Sequence, residues 1–258
     1  MLAKILDTKR TELSELRRRP LPVPPPLRSV QLARAPGAPL ALITEIKRRS
    51  PSAGELSRVL SVAQRARAYE RAGASMLSVL CDGPYFDGDY THLAEARAAT
   101  SLPILCKEFI LDEVQLDAAR AFGADAVLLI VRCLSPGQLT SLLAAAAERG
   151  LAALTEVYTP EEAQLALDAG AHMIGVNARD LDSLKLDSAR AEGMLAELPA
   201  DITRVHLSGI KDEAQVQRCA SSTIDAALIG EVLMRQDDPE PLLSRLTAAA
   251  QRAATASL

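Results

Sequence analysis

The chain has 258 residues, 48% of them hydrophobic and 24% charged, enough apolar side chain to bury one substantial core. A net charge of -4 and a pI near 5.5 leave no overall basic surface for a phosphate backbone, so nucleic acid is not an expected partner. No apolar run approaches the roughly 18 residues that cross a bilayer, and the start MLAKILDTKR is too charged for a signal-peptide core, so the expectation is a cytoplasmic protein with no membrane partner.

Residues 1–39 form an amino-terminal extension, helical and then proline-rich. MLAKILDTKRTELSELRRR carries apolar residues at helical spacing, and PLPVPPPLR then stops any helix. Eight basic residues (Lys4, Lys9, Arg10, Arg17, Arg18, Arg19, Arg28, Arg34) stand against Asp7, Glu12 and Glu15, a local charge of about +5. The plain expectation is a solvated surface helix; the functional one is a cover near an active-site mouth that attracts an anionic substrate.

From residue 40 to 258 short apolar runs alternate with longer amphipathic stretches, as when a parallel sheet is wrapped by crossover helices. The runs are 40–45, 76–80, 104–107, 126–130, 152–156, 173–177, 204–207 and 226–229. Between them, SVAQRARAYERAG, LDEVQLDAARAFG, SPGQLTSLLAAAAERG and TPEEAQLALDAG open on Ser, Thr or acidic residues and close on Gly, the signals of helix ends. Gly73-Ala74, Gly123-Ala124 and Gly170-Ala171 repeat about every 50 residues, which a solenoid would also give. The loops after the strands, however, are polar and individually distinctive, whereas those before them are short and alike. One functional face explains that asymmetry, so the expected fold is α/β, a (β/α)8 TIM barrel with an N-terminal helical extension. An open doubly wound sheet would want a Gly-rich nucleotide turn after its first strand, where EIKRRSPSAG stands.

In such a barrel the carboxyl ends of the strands share one pocket. Here they supply Glu45 and Lys47, Lys107, Glu156, then Asn177, Arg179 and Asp180. Alternation sets Glu45 and Lys47 on one side and turns Lys107 opposite to Cys106. Ammonium and carboxylate groups in one lumen are general acid and base equipment that needs no metal. Small residues suited to an anion follow the first strand (Ser50, Ser52, Gly54), the seventh (Ser208, Gly209) and the eighth (Gly230), the last two being the usual phosphate position in these barrels. The four cysteines have no C-x-x-C spacing and read as buried thiols, with a metal cluster of Cys81, Cys106 and Cys133 left as the lesser alternative.

Taken in order, EIKRRSPSAG (45–54), PYFDGDY (84–90), PILCKEFILDEVQL (103–116), GADAVLLIV (123–131), TEVYTPEE (155–162), IGVNARDL (174–181), LSGI (207–210) and ALIGEVLMR (227–235) resemble the indole-3-glycerol-phosphate synthase family of tryptophan biosynthesis. The resemblance spans essentially the whole barrel. It implies ring closure, decarboxylation and dehydration of 1-(2-carboxyphenylamino)-1-deoxyribulose 5-phosphate, with no metal and no cofactor. The small phosphorylated substrate is then the partner, and a monomer is expected. By position, Lys107 resembles the general acid, Glu156 the acid/base of dehydration, Lys47 the holder of the substrate carboxylate, and Glu45 its orienter. Asn177, Arg179 and Ser208 would bind hydroxyls and the anthranilate end, Ser50, Gly209 and Gly230 the phosphate, and Phe86, Phe109, Leu128 and Ile130 the aromatic ring. The chain departs from the family pattern at Leu207, where a pocket carboxylate is expected, at Leu80-Cys81, and at Phe86-Asp87-Gly88-Asp89. A paralogue acting on another adduct, or a barrel that only binds phosphate ligands, are the alternatives those departures admit.

Overall fold

A computed structural model describes residues 1–255. Its eight barrel strands are β1 (Ala41–Ile46), β2 (Met76–Leu80), β3 (Ile104–Lys107), β4 (Ala126–Ile130), β5 (Ala152–Val157), β6 (Met173–Asn177), β7 (Thr203–Leu207) and β8 (Ala226–Ile229). All pair in parallel with their sequence neighbours, and β1 pairs with β8 through Ala41 opposite Ala226, so the sheet closes on itself. The expected barrel is the observed one, with the strands displaced by no more than a residue at either end.

The helices are α1 (Leu2–Leu16), α2 (Val62–Arg71), α3 (Gly83–Phe86), α4 (Tyr90–Ala99), α5 (Glu113–Ala121), α6 (Pro136–Glu148), α7 (Pro160–Asp168), α8 (Ser188–Glu197), α9 (Glu213–Ala220), α10 (Glu231–Met234) and α11 (Glu240–Thr255). Their starts follow the expected chemistry. Ser61, Asp112 and Ser135 form reciprocal capping boxes with Gln64, Gln115 and Gln138, and the Thr159 hydroxyl accepts from the Glu162 N–H. Among the described residues no helix is long and apolar enough to cross a membrane.

Period-two alternation sorts the core into two layers. Outward residues such as Leu42, Val79, Val127, Leu129, Ile174 and Val176 pack under the helices. Inward ones, Ile43, Met76, Leu105, Leu128, Leu154, Val205 and Leu228, fill the barrel. The charged residues of the mouth therefore stand on a packed plug of aliphatic side chains.

The extension is more than a solvated helix. Helix α1 lies across the carboxyl-end mouth with Leu2, Ile5 and Lys9 buried. Three basic residues of the extension are held in ion pairs: Arg17 pairs with Asp112, Arg19 with Asp89 at 3.9 Å, and Lys9 with Asp82 at 2.9 Å and Glu108 at 3.1 Å. Residues 18–40 then run without helix or strand to the opposite end. There the Asp125 carboxylate, just before β4, accepts from the backbone N–H groups of Arg28 (2.6 Å) and Ile104 (2.9 Å). Asp225, just before β8, does the same for Arg34 (2.8 Å) and Arg204 (2.7 Å). Two equivalent aspartates thus staple the strap to the barrel floor, and Leu32 closes that end.

Candidate active site

Fourteen of the candidate residues named from the sequence line one cavity of about 380 Å³ at the carboxyl ends of the strands, whereas Asp180 is drawn aside into an ion pair with Arg132 at 3.1 Å. The fourteen are Glu45, Lys47, Ser50, Phe86, Lys107, Phe109, Leu128, Ile130, Glu156, Asn177, Arg179, Ser208, Gly209 and Gly230. Of the remaining anion-site candidates, Ser52 lines the cavity as well, whereas Gly54 is exposed outside it.

Two ion pairs dominate the floor. Lys47 donates to Glu45 Oε1, and Lys107 Nζ lies 3.2 Å from Glu156 Oε2. Burial alone would push the Glu45 carboxyl up, but the ammonium groups of Lys47 and Lys107 outweigh it and hold its pKa below the ordinary glutamate value. Glu45 is therefore the anion toward which both lysines converge. Its carboxylate occupies the space over Gly230: a Cβ there would fall 2.5 Å from Glu45 Oε1, so only glycine leaves room for this seat.

A polar chain extends from the second pair. The Asn177 amide donates to Glu156 Oε1 (2.8 Å), while its Oδ1 accepts from the Ser208 hydroxyl (2.8 Å) and the Arg179 N–H (2.9 Å). Glu156 thus has one oxygen fixed by an amide and the other facing an ammonium, the arrangement of a carboxylate that can exchange a proton without swinging. Ser208, at φ 72°, and Gly209, at φ 94°, follow β7 and turn the chain sharply at the cavity edge. Arg179 is steadied by the Leu184 carbonyl (3.1 Å) and Glu231 (3.8 Å). Ser50 Oγ accepts from Ala53 N–H (3.1 Å) at the other side of the opening.

The wall is apolar. Phe86 and Phe109 meet with ring centroids 6.1 Å apart, and Leu128 and Ile130 complete that side. Leu207 belongs to the lumen as well: it is 1% exposed, lies opposite Asn177 in register, and its side chain fills the space left by Gly175. Its neighbour His206 faces the helix layer, as alternation requires.

The cover near the mouth, the functional alternative for the extension, is the arrangement found, though the sequence named none of the residues that form it. Met1, Leu2 and Ile5 of α1 line the cavity, and the Met1 amino group and Leu2 N–H reach Asp182 in the loop after β6, each at 3.4 Å. Sequence reasoning also missed Lys211 and Arg235, which line the same space beside Ser208 and Gly230. Their cue was present: both follow the expected phosphate loops within a few residues. The three thiols near the strand ends do not converge. Cys81 and Cys106 lie side by side, 3.5 Å between sulfurs, in the outer layer, and Cys133 packs with the inner cluster.

A profile of indole-3-glycerol phosphate synthase matches residues 2–246. The Micrococcus luteus protein of that name is 41% identical over 262 residues, covering 96% of this chain and 97% of its own. The Leptospira interrogans one is 42% identical over 239 residues, covering 92% and 93%. Among solved structures, 3-hexulose-6-phosphate synthase from Salmonella typhimurium superposes with a TM-score of 0.66 at 15% identity, covering 83% of this chain and 100% of its own. Thiamine phosphate pyrophosphorylase from Pyrococcus furiosus superposes at 0.64 and 16%, covering 83% and 96%. At such identities these two share the fold alone. The profile extends across both α1 and the barrel, the two relatives cover more than nine tenths of the chain, and the chain therefore belongs to the indole-3-glycerol phosphate synthase family.

Proposed function

We propose that the chain cyclises, decarboxylates and dehydrates 1-(2-carboxyphenylamino)-1-deoxyribulose 5-phosphate to indole-3-glycerol phosphate. The observation that carries this reading is the pair of ammonium-carboxylate couples, Lys47 with Glu45 and Lys107 with Glu156, facing one cavity beside an aromatic wall. In this account residues 1–39 are the extension that roofs the site, and 40–258 the catalytic barrel.

Ring closure forms a bond between the aromatic carbon bearing the carboxylate and the ketone carbon. Lys107 gives its proton to the ketone oxygen, which becomes a hydroxyl, and Glu156, 3.2 Å from that ammonium, positions it beforehand. Lys47, oriented by Glu45, holds the substrate carboxylate until carbon dioxide leaves and the ring regains aromaticity. In dehydration the carbon-oxygen bond breaks with a proton returned from an ammonium, while Glu156 takes a proton from the neighbouring CH2. Asn177, Arg179 and Ser208 hold hydroxyls and the anthranilate end. Ser50, Gly209 and Gly230 cradle the phosphate, with Lys211 at its edge, and Phe86, Phe109, Leu128 and Ile130 sandwich the ring. The reading carries with it a monomer working in the cytoplasm on this small substrate, with no nucleic acid.

The test is turnover of the carboxyphenylamino ribulose phosphate by purified protein, followed by indole fluorescence and carbon dioxide release. Thermal stabilisation by the substrate with no product would mark a binding protein. Leu207 favours one further reading: an apolar wall where the family pattern has a carboxylate suits a less polar aromatic substrate, and turnover of such an analogue in place of the standard one would show it.

A further inference from the structure

On the outer wall of the barrel, away from the reaction cavity, three side chains of different donor type converge. Alternation along β7 points Val205 and Leu207 into the lumen and His206 outward, between α8 and α9. His206 is 1% exposed, and neither ring nitrogen has a hydrogen-bond partner among the described residues. A buried imidazole ordinarily gives one N–H and accepts at the other nitrogen, and leaving both unmet opposes folding. Cys219 of α9, itself buried, and half-buried Glu192 of α8 bring their sulfur and carboxylate oxygen to the same place. The three ligand atoms lie within 4.8 Å of one another.

We propose that Glu192, His206 and Cys219 bind one divalent transition-metal cation of the zinc class, tying α8, β7 and α9 together. The donor set selects the ion: imidazole nitrogen and thiolate sulfur suit zinc and its neighbours, whereas magnesium and calcium want oxygen alone. A tetrahedral zinc site with bonds of about 2.0 to 2.3 Å holds its ligands roughly 3.5 Å apart, so atoms within 4.8 Å of one another must draw in by up to about 1.3 Å. Glu192, on the partly exposed side, has the rotamer freedom for this and leaves the fourth position to water. Burial already keeps His206 uncharged, its pKa lowered to about 4, so its lone pair is available. The Cys219 thiol, pushed up to about 12 by burial and by the Glu192 charge, gives up its proton when the metal-sulfur bond forms.

The experiment uses the full chain, dialysed against chelator and titrated with cobalt(II). One equivalent should bind with the intense visible absorption of a four-coordinate ion and a near-ultraviolet thiolate-to-cobalt band, and zinc(II) should displace it. Cys219→Ser should abolish the thiolate band. Glu192→Gln should keep the band and weaken cobalt binding by on the order of tenfold. Absence of a thiolate band in the wild type, or a band that survives Cys219→Ser, overturns the proposal. Should the serine variant fail to fold, by circular dichroism, Glu192→Gln decides, and an unchanged affinity there sinks the site.

Discussion

At the scale of single residues the site is two lysines balanced by two carboxylates, and each position predicts a separable loss. Lys107→Met keeps length and apolar stem but removes the transferable proton. It should lower turnover by roughly 10² to 10⁴-fold with an unchanged circular dichroism spectrum. A variant keeping more than about a tenth of the rate would take the acid role away from Lys107. Leu207→Glu places a carboxylate opposite Asn177, in the lumen that Lys47 and Lys107 share. If the standard substrate is the native one, its turnover should rise about tenfold, equivalent to about 1.4 kcal/mol in the barrier. A rate that stays flat or falls would mean that the apolar wall is matched to a different aromatic. The residues at strand ends were legible in the sequence because strand alternation and barrel topology fix which way they face. Lys9 was not, since its partners Asp82 and Glu108 are set by how α1 docks, which no local pattern encodes.

At the scale of elements, α1 is held by that buried knot of one ammonium and two carboxylates. Burial raises Glu108 from 4.5 to about 7, with the nearby Asp82 charge adding to the rise and Lys9 opposing it. A carboxyl raised in the fold contributes stability that is complete below about 4.5 and is lost as pH climbs through about 7. Glu108→Gln keeps the shape but cannot ionise. The variant should therefore lack that part of the wild-type decline in unfolding free energy between pH 4.5 and 7, worth about 3 kcal/mol at most. Parallel pH profiles for the two proteins would remove Glu108 as its source. The apolar stripe of α1 was readable as a covered face. That it covers the mouth stood only as one of two readings, because a helical period names the buried side of a helix and not the surface it meets.

At the scale of the whole molecule, chemistry and stability sit at opposite ends of the barrel. Asp125 on the floor is an ion-pair partner of Arg97 at 2.7 Å and accepts two backbone N–H groups, one from the strap and one from β3. Asp125→Ala leaves both N–H groups without their acceptor and Arg97 without its counter-charge, and breaking a buried pair of this kind costs about 3 to 5 kcal/mol. The denaturation midpoint should fall accordingly while KM at moderate temperature holds; a KM rise without loss of stability would mean that the floor and the mouth are coupled. The barrel itself was legible from eight apolar runs and the Gly-Ala pairs before three of them. The path of residues 18–40 was not, since a segment without periodicity is placed only by its long-range partners, Asp125 and Asp225.

The seat of Glu45 over Gly230 has a temporal side. Glu45 belongs to the first strand and Gly230 follows the last, and the parallel pairing that joins them spans nearly the length of the barrel sequence. During synthesis β1 emerges early with one edge unpaired, and contacts so distant in sequence form late. A ribosome that has made seven strands therefore holds a chain with Glu45 and both lysines already made but without Gly230, the residue whose missing side chain leaves room for that carboxylate. The catalytic floor assembles when β8 emerges and closes the ring, so a product arrested before it carries both ion pairs' residues without the geometry that seats them.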